Sequence, residues 1–245
     1  MRYSYSNVST FGSCPYRWYL QYKERLKTIP ETNADNALWL GLALHKGIEM
    51  SSVEAGIAEY KSHFNIITDD HVNWITQLEY QLPKALEILP PGGEHEIEVA
   101  TDRFVGFIDY VVGDTIWDFK LSNNVDSYLK SPQLSIYKYF LEKVRPDLKI
   151  NHLKFLFVPK VQIRQKLKAK PPETIQEFRM RLLEHLDATQ IRVEEVQYDE
   201  SKVSHFLECC NYLDTCDNFP KNETRLCDWC PYKRYCQNGE TWMLL

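Results

Sequence analysis

The sequence predicts an α/β domain, a mixed β-sheet flanked by helices, and three observations carry that reading. Segments of helical and strand periodicity follow one another as helices, strands, helix, strand, helix, an order that layers helices on a mixed sheet. Gly113-Asp114 separates two apolar runs by two residues, the loop length and chemistry of a β-hairpin. Residues 152–159 form a short, nearly continuous apolar run, the signature of a buried strand.

Taken in order, Ser4 or Ser6 can cap a first helix that continues through Trp18-Tyr19-Leu20, with Pro15 interrupting it just after Cys14. A second helical stretch is predicted for residues 36–64. Residues 94–100 alternate as a strand, and with the hairpin formed by residues 104–112 and 115–121 they give three antiparallel strands. Ser131-Pro132 predicts a helix start, serine as cap and proline as first residue, for a helix to about Val144. The apolar run 152–159 is the fourth strand, and Pro171-Pro172-Glu173 leads into a helix ending near Ala188. No internal repeat, low-complexity tract or long Gly/Ser linker divides these parts. One packed unit is expected, with an N-terminal and a C-terminal strap.

A hydrophobic content of 44%, with 15 Tyr and 11 Phe, is ample for a packed core. The net charge of -5 argues against a protein that coats nucleic acid everywhere, yet leaves room for a local groove. Between Leu148 and Pro172 the balance inverts: Lys149, Lys154, Lys160, Arg164, Lys166, Lys168 and Lys170 occur without an Asp or Glu. That stretch is either a solvated loop or a phosphate-tracking surface. No apolar run approaches the ~18 to 20 residues of a membrane helix, and Met1-Arg2-Tyr3-Ser4-Tyr5 lacks an apolar leader. A cytoplasmic location is therefore expected, where seven cysteines point to metal or cluster binding before disulfides. No G-x4-G-K-[ST] loop is present, so ATP hydrolysis is not expected.

The hairpin places charged groups together. A two-residue loop at Gly113-Asp114 sets Val112 opposite Thr115, and counting back sets Asp109 opposite Asp118. Such neighbours share a face with Cβ atoms ~5 Å apart and repel each other, so a cation belongs between them. Lys120 falls on the face of Asp118, while Trp117 and Phe119 point into apolar packing. Two acids and a lysine converge as a divalent-metal hydrolysis site does in outline. His45, in Gly41-Leu42-Ala43-Leu44-His45, shares a helical face with Leu38, Leu42 and Glu49; alone, such a histidine is more often a packing residue than a ligand. Gln133 and Tyr137 project from one side of the helix after Ser131, beside Phe140 and Leu141, which alone reads as an ordinary amphipathic helix. The joint occurrence is the signal.

The ordered set His45, Gly106-Phe107-Ile108-Asp109, Asp118-Phe119-Lys120 and Gln133-Leu134-Ser135-Ile136-Tyr137 resembles the motifs of RecB-type nucleases of the PD-(D/E)XK superfamily. The resemblance spans His45 to Tyr137, departs in having Ile108 where a proline can stand, and is loose after Lys149. It implies a restriction-endonuclease-like core in which His45, Asp109, Asp118 and the backbone carbonyl of Phe119 hold Mg²⁺ or Mn²⁺. By the same likeness Lys120 positions the attacking water, and Gln133 and Tyr137 orient the phosphate or the lysine. Glu98 is a further candidate for outer-shell support, with surface solvation as the alternative.

Cys227, Cys230 and Cys236 form C-x2-C-x5-C, with Cys14 in Cys14-Pro15-Tyr16-Arg17-Trp18 as a fourth thiolate. This is similar to the iron-sulfur staple of the AddB nuclease subunit and CRISPR-associated exonucleases, which implies a [4Fe-4S] cluster. Four thiolates also suit zinc, and Cys216 in place of Cys14 would build a local zinc site. Cys209 and Cys210 read as structural thiols. The whole implies a single domain over residues 1–245, with 1–35 and 205–245 forming the staple around the core 36–204. The implied activity is that of an exonuclease on single-stranded DNA ends, with 5′ to 3′ polarity, alone or beside a helicase, recombination or CRISPR-adaptation partner. A cluster-bearing DNA-end-binding adaptor and a zinc-stapled nucleic-acid-binding protein are the alternatives.

Overall fold

A computed structural model describes residues 1–29, 31–242 and 244. At its centre five strands run in the spatial order β1 (Glu94–Ala100), β2 (Val105–Val112), β3 (Thr115–Leu121), β4 (His152–Val158) and β5 (Arg192–Val196). Neighbours are antiparallel except β3 and β4, which are parallel, so the sheet is mixed. The helices are α1 (Tyr5–Ser13), α2 (Pro15–Trp18), α3 (Ala37–Glu49), α4 (Val53–Ser62), α5 (Asp69–Ile88), α6 (Val125–Leu129), α7 (Gln133–Val144), α8 (Ile175–Asp187), α9 (Glu200–Thr215) and α10 (Lys233–Asn238).

Local chemistry explains most boundaries. The Ser4 hydroxyl accepts the Asn7 N–H to start α1, and Pro15 opens α2 after Cys14. The predicted helix over 36–64 is two helices. Ser51 takes a left-handed φ of +47°, and the Ser52 hydroxyl caps α4 through the Ala55 N–H at 3.1 Å. Gly47 and Gly56 then allow close approach: a Cβ on either would sit under 3 Å from Leu82 of α5. α7 begins at Gln133, one residue later than predicted, with the Ser131 hydroxyl accepting its N–H at 3.1 Å. The long helix α5 is absent from the sequence reading, as are β5 and α9. Trp74, Leu78, Leu82 and Ala85 give α5 a helical stripe, but Thr76, Gln77 and Gln81 are buried beside them and blur the pattern.

Two apolar layers sandwich the sheet. Phe104, Ile108, Phe155 and Phe157 pack with Phe140 of α7 and Phe206 of α9. On the other face Tyr110, Trp117, Phe119 and Leu156 pack with Leu40 and Leu44 of α3 and Leu82 of α5. The period of two fails in mid-β2, since Ile108 and Val111 join the first layer and Tyr110 the second. Across from this switch Glu96 adopts φ +49°. Ile97 then packs in the first layer, while His95 stacks on Tyr110 at 4.3 Å. Both strands thus change faces at the row of Glu96 and Asp109.

The chain ends wrap one flank. Tyr3 bridges Phe104 and donates its hydroxyl to Asp214 of α9 at 2.8 Å. Tyr232 donates to the Leu26 carbonyl at 2.6 Å. No helix among the described residues is long and apolar enough to cross a membrane.

The basic stretch is not one patch. Lys149 precedes β4 and Lys154 lies in its first half, 3.9 Å from Glu195 and above the Trp117 ring. Lys160, Arg164, Lys166, Lys168 and Lys170 lie beyond its far end, in the loop before α8. Side chains hold that loop. Gln81 donates to the Pro159 carbonyl, Gln77 and Asn123 each bond both backbone groups of Val161 and Lys160, and Glu173 accepts from Arg181 and the Lys166 N–H.

The Arg181 hydrogen bond holds the Glu173 carboxyl down at about 2. A carboxylate depressed in the folded state contributes fully above its unfolded value, ~4.3, and loses that contribution as pH falls through the folded value. Amide exchange at Lys166, corrected for intrinsic rates, should therefore be constant above pH 5 and become faster toward pH 2. Glu173→Gln should remove this pH dependence.

Candidate metal centre

The β2–β3 register is the predicted one, with Val112 opposite Thr115 and Tyr110 opposite Trp117. Gly113, with φ +58°, occupies the first loop position, which favours glycine. The ladder stops at Tyr110 and Trp117, one residue short of the expected Asp109–Asp118 pair. Instead of meeting Asp118 across a ladder, Asp109 accepts the Phe119 N–H through Oδ2 at 2.6 Å. A side-chain carboxylate takes the place of a backbone acceptor, and the strands part there.

Three ligand types converge on this parting. His45 of α3 has Nε2 3.0 Å from the Phe119 carbonyl oxygen, and Nδ1 3.4 Å from Asp109 Oδ1 and 3.9 Å from Glu96 Oε1. The ligand atoms of His45, Glu96 and Asp109 all lie within 4.8 Å of one another. Asp118 is 1% exposed and turns to Lys120, whose Nζ donates to Oδ1 at 2.7 Å and also contacts the other oxygen. Lys120 lies over the Tyr128 ring, 5.5 Å from its centroid. Behind this pair the Gln133 amide donates to the Tyr137 hydroxyl at 3.2 Å. Gly106 makes room for that tyrosine, since a Cβ there would fall 3.0 Å from its ring.

The site is electrostatically tight. Burial is the largest influence on His45 and disfavours its charged form, but the charge of Asp109, hydrogen bonds to Asp109 and Glu96 and the charge of Asp118 together outweigh it and raise the imidazole to about 10. Burial, then the charge of Asp109, pushes the Asp118 carboxyl up to about 6 in spite of Lys120. Burial opposes the Lys120 ammonium, but Asp118 and Asp109 more than compensate and raise its pKa. The Nδ1 of His45, once it gives up its proton to an incoming cation, joins the two carboxylates as a mixed nitrogen and hard-oxygen donor set that suits Mg²⁺ or, more so, Mn²⁺, while the Phe119 carbonyl meets the other ring nitrogen.

Of the residues expected at the metal, His45 and Asp109 face each other directly, the Phe119 carbonyl lies on the other ring nitrogen of His45, and Asp118 is engaged by Lys120. The acid the sequence reading missed is Glu96. The candidate Glu98 lies opposite Phe107, is exposed, and stands outside the group. The β1–β2 register, with His95 facing Tyr110 and Ile97 facing Ile108, sets Glu96 against Asp109; no two-residue loop fixes that register in the sequence.

Cys14, Cys227, Cys230 and Cys236 line one small pocket, together with Arg17, Leu20 and Tyr232. Cys216 is directed elsewhere, 3.2 Å from the Asn218 carbonyl, Cys209 lies 3.6 Å from His205, and Cys210 is buried. Among the described residues no three cysteine sulfurs lie within 4.8 Å of one another.

Comparison with known proteins places this geometry. The family model of the PD-(D/E)XK nuclease superfamily matches residues 2–237, so the chain belongs to that superfamily. A crystal structure from Eubacterium rectale, described as a "putative exonuclease", is 14% identical, with a TM-score of 0.52 over 93% of this chain and 92% of that one. At that identity the likeness is one of fold. No curated protein matches the chain.

If Glu96 is a ligand, Glu96→Gln should weaken Mn²⁺ binding by about 10- to 100-fold in a calorimetric titration. Glu98→Gln should leave it unchanged.

Proposed function

We propose that this chain is a metal-dependent DNA exonuclease acting on single-stranded ends. The observation that carries the reading is the meeting, where β2 and β3 part, of the His45–Glu96–Asp109 group with the Asp118–Lys120 ion pair. His45, Asp109 and Glu96 would hold Mg²⁺ or Mn²⁺, and the Phe119 carbonyl and Asp118 would complete the set by turning from His45 Nε2 and from Lys120. When bound, such an ion polarises the scissile phosphate and lowers the pKa of water.

The side chains do the rest. Lys120, freed as Asp118 turns to the ion, positions the water by donating to it and offsets the charge that grows on the phosphate oxygens. The Gln133 amide, bonded to Tyr137, orients the phosphate from α7. Trp or Tyr side chains are available to stack on unpaired bases. The 5′ to 3′ direction rests on the resemblance to iron-staple exonucleases, as does a helicase, recombination or CRISPR-adaptation partner.

For the four cysteines the proposal is a [4Fe-4S] cluster held by Cys14, Cys227, Cys230 and Cys236, tying the segments 1–35 and 205–245 around the core 36–204. The pocket that these four cysteines share supports a common ligand for them, and the choice of the cluster over zinc rests on the resemblance to iron-staple nucleases. Its role is structural, closing a long loop.

The rival reading is a DNA-end-binding adaptor with little cleavage; the complete set of acids, histidine and lysine speaks for catalysis. Purified protein with Mn²⁺ should shorten end-labelled single-stranded DNA, and EDTA should stop it. Lys120→Ala should lose about 10²-fold or more in rate with its unfolding midpoint retained; binding without shortening would favour the adaptor. Anaerobically purified protein should be brown with broad visible absorbance, and a colourless zinc protein would rule out the cluster.

A further inference from the structure

Lys160 is half-buried, its backbone is held in place, and its ammonium has no acid within 4.0 Å among the described residues. Its N–H donates to Asn123 Oδ1 at 2.8 Å, and its carbonyl accepts from Asn123 Nδ2 at 2.9 Å. On either side Pro159 is bonded by Gln81 at 2.7 Å and Val161 by Gln77, twice, at 2.8 Å. Three side-chain amides from two parts of the chain thus fix three consecutive residues, far more than a surface loop needs. Among the described residues the Lys160 ammonium makes no ion pair and donates no hydrogen bond, whereas Lys46, Lys84, Lys138, Lys154 and Lys233 each have an acid within 4.0 Å. Burial lowers its pKa, and the charge of Asp35 only partly offsets this. A cation fixed in such a place without a partner suits an anion brought by a ligand.

Its location says which anion. β3 and β4 are parallel, with Leu121 opposite Val158, so Lys120 and Lys160 emerge at the same end of the sheet. Leu156 and Val158 pack in the layer of α3, and Asp35 directly precedes the Asn36 cap of that helix. Along α3, Leu38 and Leu42 are 59% and 41% exposed on the stripe that carries His45. From the cap to His45 the helix rises ~13 Å, roughly two steps of an extended nucleic-acid strand.

We infer that the exposed stripe of α3 is a track for the substrate strand, with bases resting on Leu38 and Leu42 and a phosphate two nucleotides from the scissile one bound by Lys160. This deepens the nuclease reading and rests on it for the identity of the strand. Lys160 would be a binding residue that sets the minimum substrate length.

The test is binding of fluorescent oligothymidylates to the full protein in EDTA, followed by anisotropy across a salt series. Lys160→Gln should weaken dT12 binding by roughly tenfold. It should also reduce the magnitude of the slope of log K against log salt by ~0.7, the value for one single-strand phosphate contact. Lys160→Arg should restore the slope, and Lys143→Gln, a lysine bonded to Tyr139 at the end of α7, should leave it as in the parent. In Mn²⁺-dependent cleavage, Lys160→Gln should raise KM for dT12 but not for dinucleotides, with kcat unaltered. An unchanged salt slope, or an equal rise in KM for both lengths, would overturn the track. Failure of the parent protein to cleave any strand would instead overturn the hydrolase reading, and the salt slope would still decide the role of Lys160.

Discussion

The Asp109 carboxylate, by taking the Phe119 N–H, sets the form of the site. A continued ladder would give that N–H a backbone carbonyl and keep β2 and β3 together, closing the sheet over the space where chemistry is to occur. With the side chain as acceptor, the Phe119 N–H is still satisfied while the strands separate. The Phe119 carbonyl is left facing His45, and Asp118 and Lys120 face α7. One hydrogen bond therefore accomplishes three things: it ends the pairing, fixes the rotamer of a ligand and exposes a carbonyl. Glu96 completes the arrangement from β1 at the cost of a left-handed backbone, roughly 1 kcal/mol or more for a residue with a side chain.

Much of this was legible in the residues, for identifiable reasons. The Gly113-Asp114 loop fixes the β2–β3 register, and from it follow the shared face of Asp118 and Lys120 and the apolar direction of Trp117 and Phe119. Where the backbone departs from a regular strand, simple alternation misleads. Asp109 is expected across a ladder that in fact ends beside it, and Glu96 goes unnamed in the sequence reading because nothing in the residue types announces its positive φ. α5 escaped notice for a different reason: Gln77 and Gln81 are buried by their bonds to the loop after β4, and from residue types they look like solvent-facing positions. The seven basic residues are contiguous in sequence, yet β4 carries the first two away from the rest.

The ends of the chain contribute through packing that no local pattern encodes. Phe11, Trp18 and Phe219 form an aromatic group linking α1, α2 and the segment before α10, with Trp18 and Phe219 stacked at 5.4 Å. Trp18 also donates to the buried Asn7 at 2.8 Å. The pocket lined by Cys14 and the three later cysteines lies beside this group, so the thiols are brought together by contacts between residues some two hundred positions apart. Sequence shows which cysteines are candidates; the tertiary packing brings them to one place.

The two outer strands of the sheet bear on behaviour in concentrated solution. β1 carries Glu94, Glu96 and Glu98, and β5 carries Arg192, Glu194 and Glu195. An unpaired strand is an open invitation to another copy of itself, and acidic groups at alternate positions make such a match repulsive. The carboxylate proposed for the metal thus belongs to an acidic edge that also discourages self-association. Neutralising that edge for crystallisation or labelling would remove a safeguard against aggregation as well as the proposed ligand.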